Sequence, residues 1–312
     1  MKNKTIVITG GAGFIGSNLV KKLVKKNPVI VIDDLSTGHI DNIKDLIDSN
    51  KIDFVEGNIT DLNLLKKTFK NVNYVFHEAA IPSVPRSIKD PLKSNFVNAH
   101  GALNTLVAAR DNHVEKVVYA SSSSVYGDTP TLPKKEDMKP CPLSPYAVSK
   151  LTGEYYCGVF TRIYDLPTIS LRYFNVYGPY QDPSSEYAAV IPRFITSILN
   201  DKSPHIYGDG KQTRDFTFVN DVVTANMLAA ECASTGIFNI AGGKRISIID
   251  MADLIKKICK KNVKLIYDPP CEGDIQHSLA DITQAKEKFN YKPKYCIEKG
   301  MKETIQWYQR QL

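Results

Sequence analysis

Thr9-Gly10-Gly11-Ala12-Gly13-Phe14-Ile15-Gly16 follows the β-branched run Thr5–Thr9 directly and opens a stretch of helical periodicity, Gly13–Lys26. Glycines at 10, 13 and 16 suit a tight turn, a close approach of backbone to a pyrophosphate, and close packing of helix on strand. Such a turn alone is a weak signal, because glycine is common in turns. Its context strengthens it. The next apolar run, Val29–Asp33, ends at Asp33-Asp34, where a carboxylate can accept both hydroxyls of a ribose. An acidic residue there favours NAD over NADP, since it would repel a 2′-phosphate. Asn58-Ile59, after a third strand, is placed to flank an adenine, and the small pair Ala79-Ala80, after a fourth, lets a cofactor chain pass.

Outward from this turn, short β-branched runs alternate with amphipathic stretches. Lys51–Glu56, Asn73–His77, Glu115–Ala120 and Thr168–Arg172 read as further buried strands; Asp61–Phe69, Asn95–Asn112 and Pro145–Ile163 read as helices. Repeated alternation predicts an α/β fold, a doubly wound (Rossmann) parallel sheet. Beyond about residue 176 the rhythm changes to loops rich in Pro, Gly, Asp and Tyr, with helices expected near Pro192–Asn200, Asp221–Glu231 and Ile248–Lys261. The expected division is a nucleotide-binding domain over 1–175 and a smaller substrate lobe over 176–312, with some segments returning to the sheet.

The 312 residues are ordinary for a globular enzyme, 43% hydrophobic and 23% charged, which excludes general disorder. The net charge of +7 is spread over scattered lysine pairs such as Lys21/Lys22 and Lys256/Lys257, so solvated helix faces explain it better than a nucleic-acid surface. No apolar run reaches the roughly 18 residues of a membrane helix. The opening apolar run is broken by glycines and has no clean cleavage site, so a cytoplasmic protein is expected. Cys141, Cys157, Cys232, Cys259, Cys271 and Cys296 show no metal-ligand spacing, and neither do the six histidines. Reduced thiols and no metal are expected.

Two further signals define the chemistry. Tyr146-Ala147-Val148-Ser149-Lys150 starts a helix after Pro145, and positions i and i+4 share one face, so phenol and ammonium point to the same place. Ser121–Ser124 ends the fifth strand, at the edge where open α/β sheets hold ligands. For Tyr146 to act as a base near neutrality its pKa must fall by about 3 units, or roughly 4 kcal/mol of phenolate stabilisation. Lys150 and a positively charged nicotinamide are the expected sources.

The segments TGGAGFIG, HEAAIPSVPRS, YASSSSVYGD, SPYAVSK, LRYFNVYGP, GDGKQTRDF and EGDIQHSLAD together resemble the extended short-chain dehydrogenase/reductase family, in its branch of nucleotide-sugar-modifying enzymes. The resemblance runs nearly end to end. It implies that Tyr146 is the acid/base, that Lys150 orients the nicotinamide ribose, and that Ser122 bonds the sugar oxygen with Ser123 close by. It adds Phe14, Ile15, Asn98 and Tyr173 to the cofactor residues Gly10, Gly13, Asp33, Asp34, Asn58, Ile59, Ala79 and Ala80. Similar enzymes hold a UDP-sugar through positions matching Asn175 and Arg214, grip the uracil near His205 and Tyr207, and line the sugar pocket near Ser83, Val190, Asp274 and Ser278. Arginine suits a diphosphate because its planar fork donates to two oxygens in parallel. One departure is Cys271, where related sequences carry a second arginine. Arg86, Arg193 and Arg245 are the candidates to replace it.

Similar sugar 4,6-dehydratases carry an Asp-Glu pair at the positions of Ser123 and Ser124, and glucuronate decarboxylases a Glu at the second. Hydroxyls cannot serve as carboxylate acids or bases. Hydride removal and return at C4 is therefore the expected reaction, with the subgroup accepting N-acetylated UDP-sugars the nearest resemblance. A UDP-glucuronate 4-epimerase stays open as an alternative, but Asp182 after Gln181 has the wrong sign for a sugar carboxylate. A non-catalytic NAD sensor or RNA-binding relative fits the glycine turn and the charge, yet has no need of Ser122, Tyr146 and Lys150 together. Similar enzymes pair as homodimers through a four-helix seam, here Asn95–Asn112 and Pro145–Ile163.

Overall fold

The computed structural model describes residues 1–183, 189–270 and 275–311. Seven parallel strands form its central sheet: β1 (Ile6–Thr9), β2 (Val29–Asp33), β3 (Asp53–Glu56), β4 (Tyr74–His77), β5 (Lys116–Ser122), β6 (Thr168–Tyr173) and β7 (Gly236–Ile240). Their order across the sheet is β7-β6-β5-β4-β1-β2-β3, so the winding reverses between β1 and β4. Reversal leaves a crevice at the carboxyl ends of those two strands, because the loops after them turn to opposite sides.

The strands are apolar on both faces, as a sheet covered by helices on both sides requires. Successive residues alternate between two cores. Ile6 and Ile8, Phe76, Val118 and Ala120, and Ile169 and Leu171 pack into one, with Leu19, Val20 and Leu23 of the helix Phe14–Leu23 and Val222, Val223 and Ala229 of Val219–Glu231. Val7, Val75, Val117 and Tyr119 pack into the other, with Leu65, Leu106, Ala109, Cys157 and Phe160 from the opposite helices.

A third core belongs to the lobe, where Phe194, Ile195, Ile198, Met251, Ile255, Met301 and Ile305 interlock three helices, Val190–Leu199, Ile248–Cys259 and Ile297–Gln309. Three two-stranded pairs surround them, among them His205–Tyr207 with Ile266–Asp268 and Thr213–Asp215 with Arg245–Ser247. Between the lobe segments the chain returns to the sheet: Val219–Glu231 covers one face and β7 extends the edge beside β6. The strand β7 was not expected from the sequence. Its five residues sit among lobe segments in chain order, and only tertiary pairing with β6 marks them as sheet. The single helix expected over Asn95–Asn112 is three pieces, Pro91–Asn95, a π-helical turn Phe96–His100, and Gly101–Asp111.

Candidate active site

A cleft of about 440 Å³ opens at the β1/β4 switch point. Gly10, Gly13, Phe14, Ile15, Asp33, Asp34, Asn58, Ile59, Ala79, Ala80, Ser83, Tyr146, Lys150 and Tyr173 all line it. The glycine turn is sterically obligatory at two points. Gly10 has φ +71° and lies so close to β4 that a Cβ would stand 2.6 Å from the Ala79 nitrogen; at Gly16 a Cβ would stand 2.0 Å from the Gly10 carbonyl oxygen. The loop is therefore packed tightly enough to aim the first turn of Phe14–Leu23, which carries no acidic residue, into the cleft.

Asp33 is 7% exposed and braces this loop: Oδ2 accepts from the Ala12 amide and Oδ1 from the Leu35 amide, each at 2.9 Å. Burial pushes its carboxyl up, against these two hydrogen bonds. Two of the carboxylate's lone-pair directions remain for a ribose. Asp34 accepts from Asn58 Nδ2 at 2.5 Å and from the Ser36 hydroxyl at 2.6 Å, which fixes Asn58 at the cleft wall.

The helix Pro145–Ile163 begins with Ser144 as its cap, whose Oγ accepts from the Ala147 amide at 3.2 Å, and with proline at the first helical position. Its position against the sheet is set by a buried ion pair. Arg172 Nη2 donates to Glu154 Oε2 at 2.7 Å, and Ser121 Oγ donates to Glu154 Oε1 at 2.5 Å, joining helix, β6 and β5. One turn before Glu154, Lys150 Nζ donates to the Ala120 carbonyl at 2.8 Å and lies 5.2 Å from the Tyr119 ring centre.

The Tyr146 phenol faces Ser122, whose hydroxyl acts to lower its pKa. Ser122 Oγ accepts from the Ser124 amide at 3.2 Å and the Ser124 hydroxyl at 2.9 Å, so its own proton is left for Tyr146. Ser124 thus orients the Ser122 hydroxyl, a contact not expected from the sequence. The electrostatics differ from expectation in one respect. In the protein alone burial holds Tyr146 above its ordinary value, Ser122 counters it, and the charge of Glu78 adds to the rise. The lowering influence within the chain is Ser122, not Lys150, whose ammonium is turned to the Ala120 carbonyl.

Asn98 does not line the cleft. It lies in the π-helical turn, where Oδ1 accepts from the Ile81 amide at 2.8 Å and Nδ2 donates to the Ile81 carbonyl and to Ser149 Oγ, both at 3.1 Å. It ties the loop after β4 to the helix bearing Tyr146 and Lys150. Sequence reasoning also missed Glu78, which lines the cleft with Ala79, Tyr146 and Lys150; Tyr173 donates to it at 2.9 Å. A carboxylate directly after the buried run Tyr74–His77 was the available signal.

Among the described residues, the expected substrate residues other than Ser83 do not line this cleft. Ser123 opens the short turn after β5, and Val190 begins its helix next to Ala189, which does line the cleft. Asn175 Nδ2 donates to the Asp215 carbonyl at 3.2 Å. His205 Nδ1 meets Asp268 Oδ2 at 2.8 Å, and the Arg193 guanidinium lies 5.4 Å from the Tyr207 ring centre. Ser278 donates its amide to the Thr213 carbonyl at 3.0 Å, beside Arg214, whose Nη1 reaches the same carbonyl and that of Gln276. The lobe therefore gathers Arg214, Ser278 and Asn175 along Thr213–Asp215, while His205–Tyr207 pairs with Ile266–Asp268. Of the candidate second arginines, Arg86 lines the cleft and Arg245 lies opposite Asp215 in the strand pair. Asp274 and Cys271 fall outside the described residues. Among the described residues no group of three or more His, Cys, Asp or Glu is placed to hold a metal, and no helix is long and apolar enough to cross a membrane.

The chain is 38% identical to a UDP-glucose 4-epimerase of Mycolicibacterium smegmatis over 307 residues, 97% of each chain. It superposes on a UDP-N-acetylglucosamine 4-epimerase from Methanobrevibacter ruminantium, solved with UDP-N-acetylmuramic acid, with a TM-score of 0.97, 42% identity and full coverage of both chains. A UDP-glucose 4-epimerase from Thermotoga maritima, solved with UDP-glucose, gives a TM-score of 0.94 at 37% identity, over 98% of this chain and 99% of that one. A family model matches residues 6–241, and the chain belongs to the NAD-dependent epimerase/dehydratase family.

Proposed function

We propose that this protein is an NAD-dependent UDP-hexose 4-epimerase, acting on UDP-GlcNAc/UDP-GalNAc and also on UDP-Glc/UDP-Gal. The observation that carries this reading is the end of β5. There the Tyr146–Ser122 pair is flanked by the hydroxyls of Ser123 and Ser124, not by carboxylates that would remove water or assist loss of carbon dioxide. What remains is proton and hydride exchange at one carbon.

The cleft fits the cofactor. The glycine turn admits a pyrophosphate at a helix N-terminus, Asp33 keeps acceptor capacity for a ribose, and Asn58 and Ile59 stand where an adenine would lie. NAD, when bound, supplies the acceptor and donor of hydride. Tyr146, as its phenolate, takes the proton of the C4 hydroxyl at its phenol oxygen, and the Ser122 hydroxyl stabilises the phenolate charge before the transfer. Lys150 and Tyr173 hold the cofactor's side of the cleft. Arg214 and Asn175 hold the diphosphate end of the sugar nucleotide, so that a 4-keto sugar stays tethered while it turns and is reduced on its other face. Net redox change is zero.

Incubating the purified protein with each UDP-hexose separately and resolving the C4 epimers tests the reading. Conversion of both the acetamido and the plain pairs is expected. A 4-keto-6-deoxy product, or a pentose from UDP-glucuronate, would overturn it.

The protein is further proposed to be a homodimer. Ile88, Leu92 and Phe96 are 64%, 83% and 53% exposed on consecutive short helices, next to Val148 and Tyr155 of Pro145–Ile163 at 47% and 59%. So dense an apolar face marks an association surface; Phe96, Val148 and Tyr155 fall within the two stretches that the family resemblance implies, and Ile88 and Leu92 extend the face before them. Light scattering should give twice the chain mass, and Leu92→Asp, at a site outside the monomer core, should halve it. A wild-type monomer at micromolar concentration would exclude the seam.

A further inference from the structure

Glu78 is an acidic group of the cleft, next to Tyr146 and Lys150 in its lining, that the mechanism above leaves without a role. It follows β4 directly and lines the cleft with Tyr146, Lys150 and Tyr173. Its Oε1 accepts the Tyr173 hydroxyl at 2.9 Å. Tyr173 is itself held by the buried Asn226, whose Nδ2 donates to the phenol oxygen at 2.8 Å and whose Oδ1 lies 3.1 Å away, so Glu78 Oε1 at 2.9 Å is the nearer of two acceptors for the phenol proton. A carboxylate so fixed beside a buried lysine is either a cost to the fold or a use of its charge.

The surroundings of Lys150 decide between these. Its own helix offers Tyr146 one turn before and Glu154 one turn after, and Glu154 is engaged by Arg172 and Ser121. The fifth strand offers the Tyr119 ring and the Ala120 carbonyl. From the fourth come His77 and Glu78. Burial, with the charge of Lys150, lowers His77 to about 3 and keeps it neutral. Burial likewise lowers Lys150 to about 8, and the opposing influence is the charge of Glu78. Burial raises Glu78 to about 7, against the Tyr173 hydrogen bond and the charge of Lys150.

We propose that Glu78 is a positioning residue for the reaction: its carboxylate, held by Tyr173, is the counter-charge in the same cleft that keeps the buried Lys150 an ammonium. The consequence for turnover rests on reading Lys150 as the lysine that holds the cofactor ribose; the effect on Lys150 itself does not. Removing a negative charge beside an ammonium favours the neutral amine, so Lys150 should lose its proton at lower pH when Glu78 is neutralised.

Glu78→Gln keeps the shape and an oxygen for Tyr173. In the holoenzyme, the carbon-13 shift of the Lys150 ε-methylene, assigned with Lys150→Arg, should titrate about one pH unit lower in Glu78→Gln than in wild type. The alkaline limb of kcat/KM should move with it, giving about tenfold lower values above both limbs. The two proteins should converge near pH 6, where Glu78 is itself protonated. Glu78→Asp, which keeps the charge, should hold the limb nearer to wild type. An unchanged Lys150 titration in Glu78→Gln, or equal displacement by Asp and Gln, overturns the proposal. A moved titration with an unmoved rate limb overturns its catalytic part. If the wild type epimerises no UDP-hexose, the functional reading fails, and the titration still decides the coupling.

Discussion

Tyr146→Phe is expected to lower kcat for C4 epimerisation by at least about 100-fold, the usual scale for losing a general acid–base group. The ring stays and one oxygen goes. Ser122 then keeps the two donations from Ser124 but loses the partner for its own proton. The Tyr146 phenol does not carry the buried ion pair that seats the helix, which runs through Glu154, Arg172 and Ser121, so the fold and the cleft should persist. KM for the sugar nucleotide should change little, because Arg214, Asn175 and the His205–Tyr207 strand lie in the lobe. A fall confined to kcat is the signature of an interaction made in the transition state. Retention of near-full turnover would remove Tyr146 from its role.

The same residue shows why the free protein is not poised for catalysis. Burial holds the phenol protonated, and the hydrogen bond from Ser122 only offsets this in part. On the proposed function, the remaining stabilisation would come from the positive charge of the oxidised cofactor once bound. Proton removal is thereby linked to the presence of the hydride acceptor, which suits an enzyme that must not generate a 4-alkoxide without somewhere to send the hydride.

What was legible in the sequence is what local rules control. The glycine turn, the acidic end of β2, the apolar runs of six sheet strands and the i, i+4 pair of Tyr146 and Lys150 each follow from a few adjacent residues. What was not legible depends on contacts between distant segments. The edge strand β7 needs β6 beside it, and Asn98 shows its bracing role only once Ile81 and Ser149 are in place. Glu78 stands inside a motif that was read for its resemblance; its charge gains meaning from Tyr173, 95 positions away, and from Lys150. Lys150 was expected to act on Tyr146 through helix geometry alone, and a nearby backbone carbonyl redirects it.

Sugar preference is the last consequence that can be tested by one substitution. In the family that the chain resembles, the residue four places after the Asp of the EGD segment stands beside the C2 substituent, and a tyrosine there restricts turnover to plain hexoses. Here that position is Ser278, 8% exposed, on a segment hydrogen-bonded along Thr213–Asp215 and adjacent to Arg214. Ser278→Tyr is expected to abolish turnover of UDP-GlcNAc/UDP-GalNAc and to spare UDP-Glc/UDP-Gal. An acetamido group brings about three more heavy atoms than a hydroxyl, and forcing extra atoms into a packed site costs roughly 1–3 kcal/mol or more. At 1.4 kcal/mol per factor of ten, the upper part of that range is already about a hundredfold. The plain sugars leave free the room that the acetamido group would have filled, so the phenol ring can occupy it without displacing them. Thermal unfolding of the variant, measured alongside, separates pocket from fold. Equal loss on both sugar pairs with a lowered Tm would mean that the ring disrupts the packing along Thr213–Asp215, and unchanged turnover of both pairs would place Ser278 away from the C2 substituent.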